Sequence, residues 1–262
     1  MFELARYEGR HRIKGASVLA VGLSALAALY VGMFPSVSSS VDLDEYVEAF
    51  PAVFREAFGV VTLNTIEGFL AAELYAFGWV LLLGLYFAYA AAGLVADDVE
   101  RGRMDLLLSL PVRRSRVVLE KFLSLFVPLA VLNVVVPIAV YVATVLINDP
   151  IAVGDLLAVH LLSVPYLLAT AGVGLLASVV FDRSSVAQRV ALGAVFGLYL
   201  VESVVASTDY AWLGTLAPTR YYDPSAVLVE GTYDLGGTAA LAVAAVALVV
   251  ASELWFARRD IN

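Results

Sequence analysis

Cysteine is absent from the 262 residues, histidine occurs only as His11 and His160, and lysine only as Lys14 and Lys121. Without cysteine there is no disulfide, no thiolate nucleophile and no cysteine-ligated metal, and two histidines do not make a multi-histidine site. Metal chemistry is confined to carboxylates. Charge is also scarce: 15% of residues are charged and 61% are hydrophobic, with a mean hydropathy of +0.89, whereas soluble chains carry roughly a quarter charged residues. The composition is that of an integral membrane protein. The net charge of −8 and the excess of arginine, 14 against 2 lysines, suit an acid-rich, haloarchaeal-like proteome and give no basis for nucleic acid as a partner.

Six runs are long and apolar enough to cross a hydrocarbon core of about 30 Å. They cover approximately residues 16–34, 74–96, 122–147, 156–181, 186–206 and 236–257. The expected fold is all-α, a six-transmembrane-helix bundle forming a single transmembrane domain over 1–262, without an internal repeat. The first run is too long and too late for a cleaved signal peptide, so it is read as retained.

Orientation follows from the basic residues. Arg6, Arg10, Arg12 and Lys14 precede the first run; Arg101, Arg103, Arg113, Arg114, Arg116 and Lys121 lie between the second and third; Arg183 and Arg189 flank the fourth-to-fifth turn; Arg258 and Arg259 follow the sixth. Only Arg55 and Arg220 fall on the other side, so the positive-inside rule places both termini in the cytoplasm of a multi-pass plasma-membrane protein. On the outer side, 35–73 forms an extracellular interfacial segment. Within it, Leu43, Tyr46, Val47, Phe50, Phe54 and Phe58 recur at helical spacing, and Pro51 starts a second short helix. Tyr210, Trp212, Tyr221 and Tyr222 read as aromatic-belt anchors. Met1 to Lys14 fits either an amphipathic surface helix or a plain basic flank.

The most informative stretch is Asp97 to Lys121, DDVERGRMDLLLSLPVRRSRVVLEK. Asp97 or Asp98 can cap a helix with an acidic first turn, Met104, Leu107 and Leu108 form an apolar stripe, and Pro111 stops the helix. A loop that only reconnected two spans would need neither the stripe nor the stop. The arginines that follow suit anchors facing anionic lipid.

At these residues the chain resembles the permease subunits of type-2 ATP-binding-cassette (ABC) transporters, whose pattern after the second span runs close to Glu-x-x-x-Gly-Thr-x-x-x-Leu-Leu-Ser-x-Pro-x-x-Arg, with a Lys opening the third span. Gly102, Leu107, Leu108, Ser109, Pro111, Arg114 and Lys121 match; Asp98 replaces the Glu and Arg103 the Thr. Phe256 to Ile261 is similar to the family's ending. The resemblance implies a cytoplasmic coupling segment over 97–116, in which Asp98, Glu100, Gly102, Met104, Leu107, Leu108, Ser109, Pro111, Arg114 and Lys121 engage a separate ABC ATPase. It implies a dimer with a second permease copy, homo- or heteromeric, in the lipid bilayer, and export as the direction. ATP and Mg would sit on the partner ATPase, and this chain would bind no cofactor or metal and catalyse no reaction. The residues themselves agree on one point: there is no Gly-x-x-x-x-Gly-Lys-[Ser/Thr] phosphate loop, since Lys14 is followed by Gly15 and Lys121 by Phe122.

Other features carry simpler expectations. Pro128, Pro137 and Pro165 fit packing before hinging, and Gly193 with Gly197, and Ala240, Ala244, Ala247 and Ala251, fit close helix packing within one subunit. Arg189 and Glu202 lie near span ends, where they can snorkel; Asn133 and His160 suit interhelical hydrogen bonds. An intramembrane hydrolase would need clustered acids, histidines or an activated serine within the spans, which the chain lacks. A non-transporting membrane anchor or sensor that docks a cytoplasmic partner is the competing reading. The substrate is not legible.

Single-cysteine labelling tests the topology cleanly because the chain has no native thiol. Cysteines at Ser39 and Thr232 should react from outside sealed cells and one at Ser115 should not; outside labelling at Ser115 would invert the assignment.

Overall fold

The computed structural model describes residues 3–40, 42–48, 61–104 and 113–259, and among these there are helices and no strand. The elements are α1 (Glu3–Ser38), α2 (Leu43–Glu48), α3 (Ile66–Glu100), α4 (Arg114–Leu123), α5 (Phe126–Leu146), α6 (Val153–Val180), α7 (Ser184–Val205), α8 (Pro224–Leu228) and α9 (Leu235–Arg258), with 3₁₀ turns at Ala211–Leu216 and Pro218–Tyr221. Counting α4 and α5 together, six helices are long and apolar enough to cross a membrane. The all-helical six-span bundle is therefore the observed fold.

Several helices exceed their apolar runs. With 36 residues, α1 is about 54 Å long at about 1.5 Å per residue, well beyond a hydrocarbon core of about 30 Å. The charged flank before residue 16 is thus a helix continuous with the first span. Similarly, α3 begins at Ile66 rather than at residue 74, because Thr65 Oγ1 accepts a hydrogen bond from Gly68 N (3.2 Å) and caps the helix. Residues Ala71–Leu83 of α3 wind as a π-helix. The third span is broken at Ser124 and Leu125; Pro128 has no N–H to give the carbonyl of Ser124, which instead accepts from Val127 N (3.4 Å).

The core runs along α3 and α6, the two most buried spans, and α1 pairs with α5 at one edge. Because lipid is as apolar as leucine, close approach and interhelical hydrogen bonds hold such a bundle. Gly174 supplies the approach: a Cβ there would stand 2.1 Å from the Ala88 carbonyl. On the far side of α6, a Cβ on Gly172 would meet Leu248 of α9 at 2.9 Å. The hydrogen bonds run alongside: Ser178 Oγ accepts from Val95 N (2.9 Å) and Ala96 N (3.0 Å), and Tyr166 Oη donates to the Val80 carbonyl in the π-helical stretch (2.8 Å). His160 Nε2 and Tyr75 Oη are hydrogen-bonded at 3.1 Å, the interhelical role expected of that histidine. Asn133 departs from expectation, since its Nδ2 donates to Leu129 O (2.9 Å) one turn back in its own helix.

Both small-residue faces also depart from the expectation of packing within the subunit. α7 lays Ala187, Ala191 and Val195 against α3 and α6, so Gly193 and Gly197 face outward with nothing within 4 Å of a Cβ built on either. α9 buries Gly237, Leu241, Ala245, Val249, Ser252 and Phe256, which leaves Ala240, Ala244, Ala247 and Ala251 exposed.

At the end of the bundle away from Lys121, Glu202 is paired with Arg220 at 3.5 Å instead of snorkelling freely, and Gly214 leaves room for its carboxylate. Tyr222 Oη donates to Val159 O (2.6 Å), so this ring is inserted into the bundle and not a belt anchor; its burial pushes the phenol pKa well up. Tyr210 and Trp212 remain exposed. Before α3, Asn64 Nδ2 donates to Asp42 Oδ1 (2.7 Å) and holds that carboxyl below the usual range. The second short helix expected after Pro51 lies outside the described residues.

Gly174→Ala should destabilise the bundle by about 1–3 kcal/mol, the usual cost of an overpacked contact. Gly193→Ala should leave it unchanged. Thermal unfolding in detergent, followed by size-exclusion chromatography, separates the two.

Candidate functional site

Lys121 is 2% exposed and its ammonium is shared between two carboxylates, Asp98 Oδ2 and Glu8 Oε1, each at 2.5 Å. Three helices meet there: α3 brings Asp98 on its last turns, α4 brings Lys121, and α1 brings Glu8. The pairs extend outward at both ends. Arg103 Nη2 lies 2.6 Å from Asp98 Oδ1 and Arg12 Nη2 lies 3.6 Å from Glu8 Oε2. Charges thus alternate in sign along Arg103, Asp98, Lys121, Glu8 and Arg12, and each buried charge has an opposite neighbour.

Glu120 completes the joint. Its Oε2 accepts from Leu4 N (3.0 Å) and Ala5 N (3.4 Å), the free amides at the start of α1, while its Oε1 accepts from Arg116 Nε (2.8 Å). A carboxylate at that position satisfies donors that the helix itself cannot and faces the positive end of the helix dipole. Arg12 Nε donates to Ser124 Oγ (3.1 Å) at the break between α4 and α5. Beside the joint lies a cavity of about 570 Å³ whose lining includes Tyr7, His11, Arg12, Asp97 and Arg103. No grouping of three or more His, Cys, Asp or Glu suited to a metal occurs among the described residues.

The expected coupling residues fall into three sets. Asp98 and Lys121 are buried and bound to each other. Asp98 does not cap a new helix: α3 continues to Glu100, and Gly102, at φ 65°, ends it in the left-handed conformation that glycine favours. Arg103 and Met104 are again helical. Met104 is 1% exposed and joins the protein's own core, so its side chain is not presented at the surface. Glu100 accepts from Ser184 N (2.9 Å), tying α3 to α7. Arg114 Nη1 donates to the Arg259 carbonyl (2.6 Å), and Arg259 in turn holds Val179 O (2.6 Å) and Asp182. Arg114 and Arg116 are therefore internal ties and not free lipid anchors, whereas Arg113 is exposed and has no ion pair or side-chain hydrogen bond among the described residues. Leu107, Leu108, Ser109 and Pro111 lie outside the described residues.

Glu8 and Glu120 have no functional reading in the sequence, and Arg12 reads there only as part of the basic flank. The available signals were an acidic residue inside the basic flank, with Arg12 four residues on, and a second charge directly before Lys121 at the mouth of an apolar run.

Lys121→Met would leave Asp98 with Arg103 and Glu8 with Arg12 as their remaining ion-pair partners, and removal of one member of a buried ion pair costs up to about 3–5 kcal/mol. The triple variant Glu8→Gln, Asp98→Asn, Lys121→Met should recover part of that loss because no lone charge stays buried. Thermal stability of the three proteins in detergent reads this; equal stability of Lys121→Met and the parent would show that the joint contributes nothing.

The family described as ABC-2 family transporter protein matches residues 4–260, nearly the whole chain. No curated protein matches it.

Proposed function

The chain belongs to the ABC-2 transporter family, and from that premise we propose that it is the membrane-spanning permease subunit of an exporter, moved by ATP hydrolysis on a separate cytoplasmic ATPase. The observation that carries this reading is the closed base of the coupling segment. Asp98 at its start and Lys121 on α4 just beyond its end, 23 positions apart in sequence, are joined by an ion pair of 2.5 Å. A push on the residues between them is delivered to α3 and α4 at once, and through Glu8 and Glu120 to α1. A flexible reconnecting loop would dissipate the same push.

In this reading nucleotide binding closes the ATPases, the coupling segments are displaced as rigid levers, and the spans shift between accessible states. ATP and Mg belong to the ATPase, since this chain has no phosphate-loop motif. The joint lies on the cytoplasmic side with both termini, in keeping with the partition of basic residues. A second permease copy completes the transporter, and the outward Gly193 and Gly197 on α7 leave space for a close helix contact between copies.

The purified chain should hydrolyse no ATP, and a distinct ATPase should co-purify with it. If Leu107 and Leu108 are buried by that ATPase, each side chain contributes up to about 1.5–3 kcal/mol before ordering costs. Leu107→Asp should then weaken association and transport-coupled turnover on the order of tenfold while insertion and topology stay normal. Arg113→Ala is the control. Full association and turnover in Leu107→Asp would remove the segment from the coupling path, and association without any substrate-dependent turnover in the parent complex would favour an anchor.

A further inference from the structure

On the last two turns of α9, Ala251, Leu254, Trp255 and Arg258 recur at i, i+3, i+4 and i+7, so they form one stripe along the helix. All four are exposed, with Leu254 and Trp255 each more than half so. The stripe is one wall of a groove of about 540 Å³, and Val180, the last residue of α6, and Arg259 complete it. The groove's two helix ends are fixed to one another: Arg259 Nη1 donates to Val179 O (2.6 Å), Arg259 pairs with Asp182, and the Arg259 carbonyl accepts from Arg114 Nη1 (2.6 Å).

Within this fixed frame Arg258 has no ion pair or hydrogen bond among the described residues, and it stands at the basic end of a span whose other three stripe residues are apolar. Among the described residues the neighbouring acids do not neutralise it. Asp182 is taken by Arg259, and Glu253 lies off the stripe on α9. With Val180 on the facing wall, the stripe itself is graded as a membrane surface is: aliphatic at Ala251 and Leu254, amphipathic at Trp255, cationic at Arg258. A soluble anion would use only the last of these, and an acyl chain only the first three. We propose that this groove is a binding site for an anionic phospholipid, with its phosphate on the Arg258 guanidinium, its glycerol region at Trp255 and an acyl chain along Leu254, Ala251 and Val180. This goes beyond transport and depends only on the membrane reading, so it stands or falls separately from ATPase coupling.

Of the three tryptophans, Trp79 is buried and Trp212 lies at the other end of the bundle. A Trp79→Phe, Trp212→Phe variant therefore reports from Trp255 alone. It is reconstituted at fixed ionic strength into phosphatidylcholine vesicles containing phosphatidylglycerol, with brominated acyl chains on one lipid or the other. Brominated phosphatidylglycerol should quench Trp255 beyond its bulk mole fraction, with a preference of about fivefold over phosphatidylcholine, which is the effect of one basic residue at a membrane surface. Arg258→Gln should abolish the preference. Equal quenching by the two lipids, as for a merely apolar groove, or a preference that survives Arg258→Gln, would overturn the site. Should the tryptophan variant not fold, lipid analysis of the otherwise unaltered chain purified from phosphatidylglycerol-containing membranes decides: Arg258→Gln should retain about one anionic phospholipid fewer per chain, and an unchanged count refutes the proposal.

Discussion

A lysine ammonium that neither water nor lipid can solvate must be solvated by the protein, and in this structure three helices converge to do it. Lys121 is held by Asp98 from α3 and Glu8 from α1. Removing a charge from water costs several kcal/mol, which its partners recover only with close geometry and with opposite charges beyond them. Arg103 and Arg12 supply those outer charges. The ends of α1, α3 and α4 are consequently fixed in position by one electrostatic requirement, and the stretch that joins α3 to α4 is anchored at both ends.

Deeper in the bundle the physics changes. Apolar side chains gain nothing from leaving lipid for protein, so α3 and α6 are held where glycine lets backbones approach and where hydroxyls reach backbone groups across the gap. Gly174 against Ala88, and Ser178 against Val95 and Ala96, serve these two purposes side by side. The peripheral helices α7 and α9 each use one alanine- or glycine-bearing face inward and leave another outward. A small-residue spacing therefore identifies a face suited to close approach without saying whether the neighbour belongs to the same chain.

The charged joint shows the same division. Asp98 and Lys121 were legible as a pair of positions flanking an unusual segment, through their resemblance to the family pattern. Their roles were not: Asp98 reads as a helix cap beside its acidic neighbour, but Gly102 lets α3 run on past it, and the carboxylate is consumed by Lys121. Glu8 and Glu120 gave even less warning. Each sits among basic residues where a topology signal and a local i,i+4 arginine already explain the charge, while the partners that tie the helices together are more than a hundred residues away.

The sequence by itself determined the membrane class, the six spans and the partition of basic residues, because hydrocarbon thickness and charge exclusion act on each segment locally and leave a local record. Tertiary structure alone decided which small-residue faces turn inward, that the third span breaks at Ser124, and that Lys121 joins three helices. Those outcomes depend on which surfaces meet: a buried charge selects its partner by distance in space, and nothing in the local spacing of either residue encodes that distance.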